Sequence, residues 1–240
     1  MINMSQAVGA TTYPGRGIII GKSADGKRAV FAYFIMGRSV NSRNRVFVTD
    51  QGGIRTEAFD PSKMEDPSLI IYWPVRETGS RVIVTNGNQT DTIYDFIRND
   101  ASFIKALRTR EFEPDAPNFT PRISAMATFD EGDFRLDMSI LKAADPEGQR
   151  CLRVFWEYAG VLPGTGYFLH TYDRDGDPIP SFTGDPETVA VGDGSAAEIA
   201  ADIWDGLNAD NRVSLWVMTR DLETEETDTA IINRNVKQED

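Results

Sequence analysis

One cysteine and one histidine in 240 residues remove most of the usual catalytic inventory. With Cys151 alone, an intramolecular disulfide and a cysteine-built metal cage are both excluded. Its setting, CLRVFWEYAG, reads as that of a small buried hydrophobe rather than a nucleophile. Any Ser-His-Asp scheme would rest on His170. Alternation in GYFLHTYD sets that residue on the face of Phe168 and Tyr172, opposite Leu169, as a structural histidine. There is no G-x-x-x-x-G-K-[ST] loop, no G-x-G-x-x-G after a strand and no H-E-x-x-H, so the common phosphate-loop, dinucleotide and zinc mechanisms lack their parts. No stretch nears the ~18 apolar residues of a membrane span. The opening Met-Ile-Asn-Met-Ser-Gln lacks the basic-then-apolar pattern of a leader, and the expectation is a cytoplasmic protein that engages no membrane.

Net positive charge is lacking as well. At −12, the chain does not suit general nucleic-acid binding, which needs a basic face for phosphates. The charge is unevenly spread, however. Residues 1–45 hold Arg16, Lys22, Lys27, Arg28, Arg38, Arg43 and Arg45 against the single acid Asp25. Two readings are open: a solvated basic face, or an anion site small enough for a metabolite.

Strand-like runs dominate the first third: GIIIG, RAVFAYFIMG, RVFVTD, LIIYWPV and RVIVTNG, separated by turn-rich KSADGK and RSVNSRN and by the polar loop EAFDPSKMEDP. From Thr90 the period changes. Ile93, Phe96, Ile97, Phe103, Ile104 and Leu107 recur three and four apart, which predicts one or two amphipathic helices. Strands resume with RISAMATF, FRLDMSILKA, CLRVFWEYAG and GYFLHTYD. Ser195 and Glu198, spaced as a capping box, start a helix burying Ile199, Ile203 and Leu207. RVSLWVMTRD and TAIINRN close the chain as strands. Blocks of strands and blocks of helices point to an α+β fold, two mainly antiparallel layers covered by helices, rather than to alternating βαβ units. No repeat or hinge-like linker divides the chain, so one domain over residues 1–240 is expected.

Three loops stand out. TTYPGRGIIIG puts Arg16 on a Pro-Gly turn at the mouth of an apolar strand, where an arginine meets either an internal carboxylate or an anionic ligand. DRDGD opens like a calcium loop, but Pro178 and Gly184 stand where glycine and glutamate are needed, and a hairpin turn is the better reading. In VTNGNQTDTI a strand runs through Asn86-Gly87 into a helix start. Thr90 is accounted for there as an N-cap; Asn86, Asn88, Gln89 and Asp91 are not.

Taken in order, YPGRGIIIG, GRSVNSRNR, IIYWPVR, TNGNQTDTI and FEPDAPNFTPRISA resemble five segments of the single-domain, archaeal-type IMP cyclohydrolase family. The second half is similar in outline only, and the chain carries extra residues near Asn41 and around DRDGDPIPSF. The resemblance implies a four-layer α-β-β-α sandwich similar to N-terminal-nucleophile hydrolases, without autoprocessing. It also implies closure of 5-formamidoimidazole-4-carboxamide ribotide to IMP with loss of water, on a purine ribonucleotide and with no metal or other cofactor. Carried over by position, the catalytic candidates are Arg45, Tyr72 and Glu113, and the substrate-binding candidates are Arg16, Asn86, Asp91, Thr120 and Arg122. Two alternatives stay open: an N-terminal-nucleophile amidohydrolase with Thr11 or Thr12 exposed by processing, and a non-catalytic purine-nucleotide-binding protein. A monomer and a homo-oligomer are equally compatible with the sequence.

Overall fold

A computed structural model describes residues 1–64, 67 and 70–236. Along the chain the strands are β1 (Arg16–Lys22), β2 (Arg28–Met36), β3 (Arg45–Asp50), β4 (Gly53–Ala58), β5 (Val75–Thr78), β6 (Arg81–Thr85), β7 (Arg122–Asp130), β8 (Asp133–Ala143), β9 (Cys151–Tyr158), β10 (Thr165–His170), β11 (Glu187–Ala190), β12 (Arg212–Asp221) and β13 (Thr227–Asn233). They form two antiparallel sheets. One has the order β11-β10-β1-β2-β12-β13, so strands from both ends of the chain meet in it; the other runs β3 to β9 in sequence. The helices are α1 (Met4–Val8), α2 (Val40–Arg43), α3 (Gln89–Arg98), α4 (Phe103–Leu107) and α5 (Ala196–Gly206). None among the described residues is long and apolar enough to cross a membrane.

The period-2 pattern of the strands divides the apolar side chains between two faces. Ile18 and Ile20 of β1, with Phe31, Tyr33 and Ile35 of β2, meet Val82, Val84, Ile123 and Ala125 of the other sheet in a shared core. The intervening Ile19, Val30, Ala32 and Phe34 face the opposite way, against Val8, Ile199 and Ile203 of α1 and α5. On the far sheet, Ile83 and Met126 turn outward to Ile93, Phe103 and Leu107 of α3 and α4. Fully burying each such side chain contributes about 1.5–3 kcal/mol, so the first sheet, apolar on both faces, is held from both sides. The fold is α+β with two antiparallel sheets.

Local chemistry explains most boundaries. Ser195 caps α5 as expected: Glu198 N–H donates to Ser195 Oγ at 3.3 Å, and Ser195 N–H donates to Glu198 Oε2 at 2.9 Å. Two readings need correction. LIIYWPV is not a strand: Ile70 and Ile71 donate to the Pro67 carbonyl in a turn, Pro74 has no N–H for a ladder, and the strand begins only at Val75. Leu69 lies outside the described residues. Thr90 is not an N-cap either; the helix begins at Gln89 after Asn88, and the Thr90 hydroxyl donates back to the Gly87 carbonyl at 3.0 Å. The short α1, β4 and β11 carry too few periodic residues to be read from sequence.

His170 is structural, as its alternation suggests. It stacks on Phe168 with ring centroids 4.6 Å apart, and its Nδ1 lies 2.8 Å from the Tyr172 carbonyl. Cys151 is only half-buried, at the start of an edge strand, and burial pushes its thiol up, away from the reactive thiolate. In DRDGD, Asp173 accepts from Thr183 N–H and hydroxyl, closing the predicted turn.

Candidate active site

Arg16 reaches its place through an obligatory glycine. Gly15 has φ +81°, and a Cβ there would lie 2.2 Å from Thr171 Oγ1 and 2.5 Å from the Tyr172 ring. The next residue is tied down on both sides: Arg16 N–H donates to Thr171 Oγ1 at 3.1 Å, and Thr171 N–H donates to the Arg16 carbonyl at 3.0 Å. The guanidinium therefore points inward from the strand mouth, where its Nη2 lies 3.5 Å from Glu113 Oε2.

Glu113 comes from the loop between α4 and β7. That loop is folded around Asp115, whose carboxylate accepts from Thr120 N–H at 2.7 Å and from the Thr120 hydroxyl. Glu113 N–H donates to the Thr120 carbonyl at 2.9 Å, which turns the buried side chain toward Arg16. Burial pushes the Glu113 carboxyl above the usual carboxylate range, and Arg16 and Arg122 partly counter it. For Arg16 the balance is reversed. Burial opposes its charge, yet Glu113 and neighbouring phenols hold it above its ordinary value.

Arg45, the first residue of β3, is buried beside this pair without a carboxylate of its own. Its Nε donates to the Ser42 carbonyl at 2.9 Å and its Nη2 to the Met36 carbonyl at 3.3 Å. Among the described residues it makes no salt bridge. Burial, and then Arg16, lower its affinity for its proton. Arg122, at the start of β7, is likewise buried; its Nη1 donates to Gln89 Oε1 at 2.7 Å, and burial lowers it too, against the pull of Glu113. Three buried guanidiniums stand around Glu113, with Asp115 the second carboxylate nearby, so positive charge still exceeds negative in the site.

Tyr72 is positioned by Thr56, which accepts its N–H at 2.9 Å and donates to its carbonyl at 3.1 Å. Its hydroxyl lies 2.8 Å from that of Tyr33, and burial pushes Tyr33 well up. Thr120 lines the site from the other side, its hydroxyl 2.6 Å from that of Tyr172.

A cavity of about 260 Å³ opens onto this cluster, lined by Arg16, Arg38, Arg45, Thr120 and Tyr172 among others. Its three arginines all come from residues 1–45, so part of the basic excess in the sequence converges here. Lys22 does not; it pairs with Asp133. Larger hollows of about 500 and 550 Å³ lie around the β7–β8 turn and beside α4, and neither contains the arginine cluster.

Matches to known proteins give the family. A family model described as IMP cyclohydrolase-like protein matches residues 13–226. This chain belongs to the IMP cyclohydrolase-like family. A protein of Methanopyrus kandleri named IMP cyclohydrolase is 31% identical over 185 residues, covering 71% of this chain and 89% of its own. Those of the same name from Methanococcus aeolicus and Methanococcus maripaludis are 31% and 32% identical over 118 and 126 residues. They match 48% and 50% of this chain and 57% and 60% of their own lengths.

Of the eight residues singled out in this IMP cyclohydrolase-like chain, Arg16, Arg45 and Thr120 line the cavity; Glu113, Tyr72 and Arg122 are buried outside its lining, and Asn86 and Asp91 are turned to other partners. Asn86 is buried and its amide is used internally: Nδ2 donates to the Pro121 carbonyl at 2.8 Å, and Oδ1 accepts from Ile123 N–H at 2.9 Å and Gln89 Nε2 at 3.0 Å. Its contribution is to fix the β6–β7 crossing and, through Gln89, Arg122. Asp91, its side chain 38% exposed, pairs with Arg76 at 2.6 Å. Conversely, Tyr33, Tyr172 and Arg38 line or support the site and were missed. Tyr33 reads as one more apolar strand residue, and Arg38 as one more loop charge; only the pairing of distant strands brings them in.

Proposed function

We propose that this protein is an IMP cyclohydrolase: it closes 5-formamidoimidazole-4-carboxamide ribotide to IMP with loss of water. Family membership supports the reaction. The observation in the molecule that carries the reading is the buried Arg16–Glu113 pair beside Arg45, which has no carboxylate partner, with both arginines at the wall of one cavity. A single substrate supplies both reacting groups, so the site has to hold a reactive rotamer, stabilise developing oxyanion charge and move protons. In this reading Glu113 accepts a proton from the attacking carboxamide nitrogen. Arg45 stabilises the formyl oxygen as it gains charge, and Tyr72 protonates that oxygen on its way to water. Arg16, Arg122 and Thr120 hold the ribotide and the glutamate in register, with Asn86 acting from behind through Gln89 and Arg122. A positioned acid or base contributes about 10²- to 10⁴-fold, and one oxyanion donor about 10²- to 10³-fold.

We read the two sheets and their outer helices as one domain with a four-layer α-β-β-α sandwich similar to N-terminal-nucleophile hydrolases, without autoprocessing. The three apolar layers between the elements support this. Neither Thr11 nor Thr12 lines the cavity, whose lining begins at Tyr13; this weighs against the amidohydrolase alternative. The acidic net charge supports a small-molecule substrate in the cytoplasm rather than a nucleic acid.

The test is to incubate the purified protein with the formamido ribotide and follow IMP by absorbance, with Glu113→Ala alongside. Rapid IMP formation that collapses in the variant is the expected result. Tight binding without turnover above the uncatalysed rate would leave the non-catalytic alternative.

A further inference from the structure

The two sheets leave four edges, and they are treated differently. β11 is partly covered by the N-terminal segment, where Ala190 N–H donates to the Ile2 carbonyl at 2.8 Å. β3 and β13 cover one another across the sheets: Asn233 Oδ1 accepts from Phe47 N–H at 2.8 Å, and its Nδ2 donates to the Phe47 carbonyl at 3.0 Å. β9 has no such cover. Among the described residues, the backbone of 152–158 makes no backbone hydrogen bonds beyond its ladder with β8. This edge is also apolar, with Leu152, Val154, Phe155, Trp156 and Tyr158, and Leu152 is 44% exposed. It contains no proline and no bulge of the kind that blunts natural edges.

Its sequence is self-complementary. Around Phe155, CLRVFWEYA reads apolar, apolar, plus, apolar, Phe, apolar, minus, apolar, apolar. A two-fold axis normal to the sheet keeps each face on its own side, so residues i and j stand opposite only when i + j is even. Centring the axis on Phe155 sets Arg153 opposite Glu157 twice, Val154 opposite Trp156, Leu152 opposite Tyr158 and Phe155 opposite itself. A shift by one pairing either way loses both ion pairs, because Arg153 then meets Phe155 or Ala159.

The monomer supplies an independent reason for that register. Glu157 stands directly opposite Asp137 across β8–β9, an unfavourable like-charge pair. Among the described residues it makes no salt bridge. Arg153 sits on the same face four residues away, held by Nε and Nη2 bonds to the Arg110 carbonyl at 3.1 and 2.8 Å. It is a fixed donor with only a 3.4 Å contact to the exposed Glu111 carboxylate.

We infer that β9 pairs antiparallel with β9 of a second copy of this chain, centred on Phe155, so that each Arg153 meets the Glu157 of the other copy and the two seven-stranded sheets become continuous. This is independent of the reaction proposed above.

Light scattering of the full chain should give twice the 26.7 kDa monomer mass. Arg153→Glu, which faces Glu157 with its own sign, should return the mass to that of the monomer, and the exchange Arg153→Glu with Glu157→Arg should restore the dimer. Register is read separately. In a Cys151→Ser background, Phe155→Cys should oxidise to a covalent dimer, since directly opposite Cα atoms lie about 4.5–5.5 Å apart. Val154→Cys should not, its own copy being a diagonal neighbour at about 7–8 Å. A monomeric wild-type protein, a dimer indifferent to Arg153→Glu, or cross-linking at residue 154 rather than 155 would each overturn the proposal.

Discussion

Arg16 Nη2 stands 3.5 Å from Glu113 Oε2, with the side chains only 13% and 3% exposed. That distance is an ion pair without a short hydrogen bond, so the carboxylate is charged by its neighbour yet keeps oxygen lone pairs free. Burial raises the glutamate and Arg16 is the largest influence pulling it back. This is how a carboxylate is set to take a proton near neutral pH.

We predict an acid limb in kcat/KM that belongs to Glu113. Activity requires the ionised form, so the rate rises with pH as the proton leaves, with a midpoint above the ~4.3 of a free glutamate. Arg16→Gln removes the main stabiliser of the charged form, and the limb should move further toward alkaline pH. Glu113→Gln should lose about 10²- to 10⁴-fold in turnover. A limb that keeps its position in Arg16→Gln would take Glu113 out of the base role.

Arg45 should reveal itself through ligand-dependent stability. It is buried, with two carbonyl partners and no carboxylate, so a bound anion supplies what it lacks. IMP at a hundredfold its Kd should stabilise the wild-type fold by about 2.7 kcal/mol, or about 5–10 °C at roughly 2–4 °C per kcal/mol for a chain of this size. In Arg45→Met most of that shift should disappear while the variant still melts cooperatively. Thermal melts with and without IMP decide it; an undiminished shift would mean that Arg45 makes no contact with the bound nucleotide.

These expectations were legible in the chain because turns are local. Pro14-Gly15 had to present Arg16, Pro121 had to start a strand at Arg122, and the Ser195 box had to cap α5. What stayed hidden depends on separation. Tyr33 meets Tyr72 only because β2 lies in one sheet and the Thr56-bound segment against the other. The apolar run LIIYWPV misled for the same reason: hydrophobicity marked burial correctly, while the turn onto the Pro67 carbonyl and the missing N–H of Pro74 decided against a ladder. Asp91 looked like part of the polar cluster that starts α3, but two residues of helical rotation turn it away from Gln89 and toward Arg76.

Arg38 links the loop before α2 to the DRDGD turn. Its Nη1 donates to Asp175 Oδ1 at 2.5 Å and to the Gly176 carbonyl at 2.9 Å, and its guanidinium lies over the Tyr13 ring at 5.2 Å. Asp175 thus competes with any anion for a cavity arginine. Asp175→Asn should lower KM severalfold with kcat unchanged. It should shift stability by less than about 1 kcal/mol, because the pair is exposed. Initial rates across substrate concentration, with a melt, check both parts; a raised KM would mean that Asp175 orders the mouth rather than blocking it.

The Tyr33–Tyr72 pair gives the most discriminating case. Tyr33 is fully buried, and burial keeps its hydroxyl protonated far above the ordinary tyrosine range, so it can serve as a lasting donor. If Tyr72 gives its proton to the leaving oxygen, its own oxygen gains charge at that moment, and the hydroxyl 2.8 Å away stabilises it. A hydrogen bond to a charged group contributes about 1.5–3 kcal/mol, which corresponds to roughly 10- to 150-fold in rate. Tyr33→Phe should therefore reduce kcat by that factor with KM nearly unchanged, although Tyr33 lies behind the cavity wall. Because its effect runs through Tyr72, the double variant Tyr33→Phe/Tyr72→Phe should be no slower than Tyr72→Phe alone. A double-mutant cycle on kcat, with melts to show that each variant is folded, measures this directly. Additive losses would separate the two hydroxyls and reduce Tyr33 to packing; a Tyr72→Phe variant with wild-type turnover would remove the acid role from both.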